Sequence, residues 1–133
     1  MRYLMNLLKN SKVMGYLFWI WLILTVTTSS IPNIPVPQKE ILSLIRTDYL
    51  IHFFQFFLLS FFFVIWRQKL FPTPLQLTLI LLAGAGFSVL MELQQLYIPE
   101  RSFNIYDILA NCFGFFFGLM VAMWLLLIIS KAD

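Results

Sequence analysis

Charge is scarce in this sequence. Nine Lys and Arg and six Asp and Glu make up 11% of its 133 residues, against about 25% in ordinary soluble domains. Hydrophobic residues reach 61% and the mean hydropathy is +0.87. So little polar surface cannot cover a water-soluble globule of this size. A cytosolic enzyme, a secreted disulfide scaffold and a disordered tail are therefore excluded. Cysteine is nearly absent: Cys112 stands alone, which excludes an intrachain disulfide and a cysteine-based zinc or iron–sulfur cage. There is no P-loop and no dinucleotide fingerprint. Internal repeats and low-complexity tracts are missing too, so residues 1–133 read as one domain. What the chain has in abundance is membrane-compatible sequence, and any function must lie in the membrane or at its edge.

The charges cluster and leave four uncharged windows, at 13–38, 49–66, 70–91 and 108–130. A helix needs about 20 apolar residues to cross the hydrocarbon core. The first window ends in a loop, because Pro32, Pro35 and Pro37 cannot continue a helix. Pro72 and Pro74 mark the start of the third helix and Pro99 follows its end. The windows lack the strict alternation and regular turns of a membrane β-barrel, and in lipid that leaves helices. We expect an all-α integral membrane bundle of four transmembrane helices, near 13–30, 47–66, 74–97 and 105–130. The first has a basic lead and an apolar run, as a signal peptide does. It lacks Ala-x-Ala before its end, so we expect it to remain as a span.

Orientation follows from Lys and Arg in short loops. One side carries Arg2, Lys9, Lys12, Arg67, Lys69 and Lys131, and the other carries Lys39, Arg46 and Arg101. The excess places both termini in the cytoplasm of a bacterial cytoplasmic membrane. The formal net charge of +3 suits anionic lipid at that face, not nucleic acid.

The polar residues that the spans tolerate gather at one end. Asp48 and His52, four apart, share a face at the start of the second helix, and Gln55 lies near the same stripe. Glu92 and Gln95 sit in the last turns of the third, with Ser88 one turn below. Asp107 and Asn111 open the fourth, and Arg101 lies in the loop between. Counting from Thr47, Ile98 and Ile105, a rise of about 1.5 Å per residue puts His52, Glu92 and Asn111 roughly 7–9 Å inside. Such groups are costly in lipid and belong in a bundle interior, paired with one another. Gly114 and Gly118 extend the Asp107–Asn111 face as a small-xxx-small motif, which makes that face a packing face as well.

Taken in order, Asp48-Tyr49-Leu50-Ile51-His52, then Glu92-Leu93-Gln94-Gln95, then Arg101, then Asp107 through Asn111 to Gly114, resemble the VanZ-like family of small membrane proteins. That family shows D-K-x-x-H, E-x-x-Q, an arginine in a short loop and D-x-x-x-N-x-x-G. Thr27-Thr28-Ser29-Ser30-Ile31-Pro32 also looks like its serine–proline exit from the first helix. One departure is Tyr49, where the family usually has lysine. The resemblance implies a multi-helix membrane protein, linked in some members to glycopeptide resistance of the teicoplanin type. It supplies a topology and a site but no reaction.

Three readings of the cluster stay open. In the first it is a packing network, with Asp48 and Asp107 capping helices and Glu92 pairing with His52 or Arg101, in service of an oligomer or a partner. In the second it is an outer-facing pocket for the head group of a membrane lipid or lipid-linked cell-wall precursor. Asp48, His52, Glu92, Gln95, Arg101, Asp107 and Asn111 would line it. In the third, His52 acts as general base beside Asp48 and Glu92, and Arg101 stabilises a transferred oxygen. We take the pocket as the leading reading and a membrane-embedded hydrolase or transferase as its alternative. No cofactor is implied. One histidine with two carboxylates, His52, Glu92 and Asp107, is a weak metal signature, so no metal is expected.

Overall fold

A computed structural model of the chain describes residues 8, 10–32, 47–68, 72–99 and 101–131. Four helices make up the fold: α1 (Ser11–Ser30), α2 (Thr47–Arg67), α3 (Pro74–Gln95) and α4 (Ile105–Lys131). All four are long and apolar enough to cross a membrane, and the described residues contain no strand. Arg2, Lys9, Lys39, Arg46 and Lys69, on which part of the orientation rests, lie outside the described residues, as do Pro35 and Pro37.

Local chemistry sets the ends. Asn10 caps α1 by accepting from the Val13 amide at 3.3 Å, and α1 stops at Ile31, the residue before Pro32, which proline biases towards extended backbone. Thr73 and Gln76 form a reciprocal capping box at α3, with Pro74 in the first helical position. α2 has Asp48 in its first turn and Arg67 in its last, the arrangement the helix dipole favours. It ends where Gln68 turns left-handed at φ 48°. α3 ends at Gln95, two residues short of the expected 97. There the amides of Leu96, Tyr97 and Ile98 each turn to a carbonyl three residues back, tightening the chain ahead of Pro99. Asn104 opens α4, its side chain accepting from the Tyr106 amide at 3.0 Å.

Successive helices run antiparallel. Trp66, at the end of α2, packs on Gly15 at the start of α1, and Phe115 of α4 packs on Gly84 of α3. α2 and α4 therefore run parallel, and they make the closest seam. A Cβ on Gly114 would collide with the Phe53 carbonyl, and one on Gly118 with the Phe57 carbonyl. The apolar core (Met14, Val64, Ile65, Leu119, Ala122, Leu126 and Ile129) fills the end that carries Lys12, Arg67 and Lys131. Ile23, Leu79, Leu82, Phe113 and Trp124 face outward, as a lipid-facing surface requires. At the other end of the bundle the interior turns polar.

Candidate functional site

The polar interior is built at the start of α2, the end of α3 and the start of α4. His52, Glu92, Gln95, Asp107 and Asn111 are all buried, and Glu92 and Asn111 have no exposed surface. His52 Nδ1 lies 3.2 Å from Asn111 Oδ1, a contact in which the Nδ1–H tautomer would donate to the amide oxygen. On the other edge, Nε2 faces Asp107 Oδ2 at 3.8 Å, longer than a hydrogen bond. Gln95 Nε2 donates to Glu92 Oε1 at 3.3 Å. Ser88 donates to the Ile108 carbonyl at 3.4 Å and ties α3 to α4 below the cluster. Ligand atoms of His52, Glu92 and Asp107 all lie within 4.8 Å of one another. The close α2–α4 seam makes this convergence possible, because Phe53 adjoins His52 and Gly114 is one turn from Asn111.

Two atoms of the cluster, Glu92 Oε2 and Asn111 Nδ2, are buried with no hydrogen-bond partner. An unsatisfied buried polar atom costs about 1–3 kcal/mol, more when charged. The charges acting on Glu92 are Asp107 and Asp48 on the negative side and Arg101 on the positive, with the Asn104 amide nearby. The cluster is thus acidic at its centre.

Arg101 is placed differently. Its guanidinium donates to the carbonyl of Ile31 at 3.2 Å and towards that of Thr28 at 3.5 Å. It closes the C-terminal end of α1, where a cation is favoured by the dipole. Asp48 is half-buried in the first turn of α2. Glu100 lies outside the described residues.

Sequence reasoning missed a second polar seam along the end of α1. Gln55 turns to α1 and donates to Thr28 Oγ1 at 2.8 Å, while the Trp21 indole donates to the Gln55 carbonyl at 2.9 Å. Gln94 donates to Ser30. The run Thr27-Thr28-Ser29-Ser30 was the available signal, since hydroxyls clustered in one turn of an apolar helix mark a contact face.

The buried histidine, E-x-x-Q pair, loop arginine and D-x-x-x-N-x-x-G run are therefore parts of one end of one bundle. The VanZ/LLP1 family pattern matches residues 5–128. The chain belongs to the VanZ/LLP1 family. No curated protein and no solved structure matches it. Membership covers all four helices of this VanZ-family protein, α1 included, so the polar end and its supporting seam both lie within the matched region.

Proposed function

We propose that this VanZ-family protein binds an amphipathic lipid. The head group meets the polar end of α2, α3 and α4, and the hydrocarbon enters an apolar cavity beneath it. One observation carries this reading. An open apolar cavity of about 330 Å³ is lined by Phe18, Leu59, Phe63, Ala83, Phe87 and Phe115, among others, one to two helical turns below the polar cluster. Phe87 adjoins Ser88, and Leu59 is seven residues from His52 along α2, about 10 Å. Ligand sites are concave, mostly apolar and oriented by a few polar groups, and this pairing has that form.

The polar groups on offer are the carboxylates of Glu92 and Asp107 and the amides of Gln95 and Asn111. They suit hydroxyl, amide or amine groups of a sugar or peptide head. The link of some relatives with glycopeptide resistance makes a lipid-linked cell-wall precursor the ligand class to test first. Of the four described cations, Lys12, Arg67 and Lys131 lie at the opposite end of the bundle and Arg101 at the polar end, an excess that supports cytoplasmic termini and a pocket beneath the outer leaflet. A hydrolase or transferase acting on the same lipid is the second reading, favoured by the His52–Asp107 pair. It ranks second because, among the described residues, no hydroxyl or thiol bonds to His52.

Full-length protein purified in mild detergent, with lipids extracted and identified by mass spectrometry, tests the proposal. Wild-type protein should retain a discrete lipid class. Ala83→Phe, which fills the cavity, should cut retention severalfold with helix content unchanged. Equal retention overturns the proposal. For orientation, Ser43→Cys in a Cys112→Ser background should react with an impermeant maleimide in intact cells. Reaction only after lysis inverts the topology.

A further inference from the structure

We propose that His52, Glu92 and Asp107 together bind one divalent transition-metal ion. In each of the first two residues one polar atom is held by a neighbour, and ligand atoms of all three residues lie within 4.8 Å of one another. His52 Nδ1 lies 3.2 Å from Asn111 Oδ1, and in the tautomer that donates there Nε2 is the ligand atom. Gln95 occupies Glu92 Oε1, which leaves Oε2 buried and without a partner. Metal-binding histidines and carboxylates are oriented in this way, by hydrogen bonds to the atom that does not bind the metal.

The electrostatics point the same way. His52 Nε2 lies 3.8 Å from Asp107 Oδ2, too far for a hydrogen bond. Glu92, with no exposed surface, adds a second carboxylate within 4.8 Å. A divalent ion among these three ligand atoms would balance the charges of both carboxylates beside the imidazole. Bonds of about 2.0–2.2 Å set ligand atoms roughly 3–3.5 Å apart, so the ligand atoms, within 4.8 Å of one another, need to close by up to about 1–2 Å on binding. One nitrogen and two carboxylate oxygens suit Zn²⁺ or Mn²⁺. Three protein ligands leave a position for a ligand oxygen, and Asn111 Nδ2, also without a partner, is a donor on the adjoining amide. Such an ion would widen the head groups this acidic site accepts to include phosphate. The ion site itself does not depend on lipid being bound.

The competing arrangement is a protonated one, with an imidazolium on Asp107 and a neutral Glu92, and it takes up no metal. The test is metal binding by the intact, tag-free protein in detergent after chelation. Zn²⁺ and Mn²⁺ are titrated separately, bound metal is counted by elemental analysis, and Co²⁺ serves as a spectroscopic probe. One ion per chain is expected, with Co²⁺ d–d bands of low coordination number. Glu92→Gln and His52→Ala should abolish the tight site, and Asn111→Ala should weaken it by about 10–100-fold. Cys112→Ser should leave it intact. Failure of wild-type protein to bind either ion, or equal binding by Glu92→Gln, overturns the proposal. Should the variants not fold, wild-type stoichiometry and the Co²⁺ spectrum decide alone. Lipid retention measured with and without chelator is a separate readout, so this proposal and the lipid proposal can fail independently.

Discussion

Replacing Gly114 with alanine should damage both the fold and the site, and the size of the effect follows from the α2–α4 seam. A Cβ at Gly114 would meet the Phe53 carbonyl carbon at 2.8 Å and its Cα at 3.0 Å, with the carbonyl oxygen closer still. These are backbone atoms of a packed helix, so they cannot rotate aside. Carbon–carbon contacts are comfortable at about 3.5–4.0 Å, so the helices must part by roughly 1 Å. Overpacking of this kind costs about 1–3 kcal/mol, roughly a 5- to 150-fold loss in the folding equilibrium. The displacement falls beside His52 and one turn from Asn111, so their 3.2 Å contact should open as well. Reversible unfolding in mixed detergent and SDS micelles measures the first effect. The imidazole NMR signal of His52, the only histidine, measures the second. Gly86→Ala is the control, because a Cβ there meets nothing within 4 Å. It should be neutral or stabilising by up to about 1 kcal/mol through helix propensity. Equal stability of Gly114→Ala and wild type would refute the close-packed seam.

Other expectations follow from the same contacts. Gln55→Leu and Thr28→Val should each destabilise the bundle, and a double-mutant cycle should give a coupling of about 0.6 kcal/mol, at most about 1.7; zero coupling would mean that the Gln55–Thr28 bond is not made. Arg101→Ala should lower stability by about 0.3–1 kcal/mol, the worth of a cation at a helix C-terminus, and leave lipid retention unchanged; a large loss of lipid would place the guanidinium on the ligand instead. Thr73→Ala should cost about 1 kcal/mol through loss of the capping box, detectable as a lower melting temperature with no change in bound lipid.

Much of this architecture is legible in the sequence because charge is so scarce. Each span is bounded by charges or prolines, and Thr73-Pro74 with Gln76 spells out the start of α3. His52, Glu92 and Asn111 are expected at one depth, and the structure brings them into one buried group. What spacing cannot give is the neighbour that each face meets. Gln55 is three residues from His52 and lies near its stripe, yet it turns to Thr28 on α1. Arg101 sits in a loop, where no periodicity fixes direction, and it reaches the carbonyls ending α1. α1 itself is apolar all round apart from its terminal hydroxyls, so nothing in its pattern announces a partner. The apolar cavity is invisible in sequence for a related reason. It depends on how Phe18, Phe63, Phe87 and Phe115 from four helices fail to fill one space.

The most direct test of the central claim, that the buried polar end is a ligand site and not a packing network, is Glu92→Gln measured for stability and bound ligand in one preparation. The substitution keeps the side chain's shape and the hydrogen bond with Gln95, and it removes a carboxyl group that packing alone does not require. A ligand site gives stability equal to or above wild type with loss of bound lipid or metal. Lower stability with ligand content unchanged would contradict it.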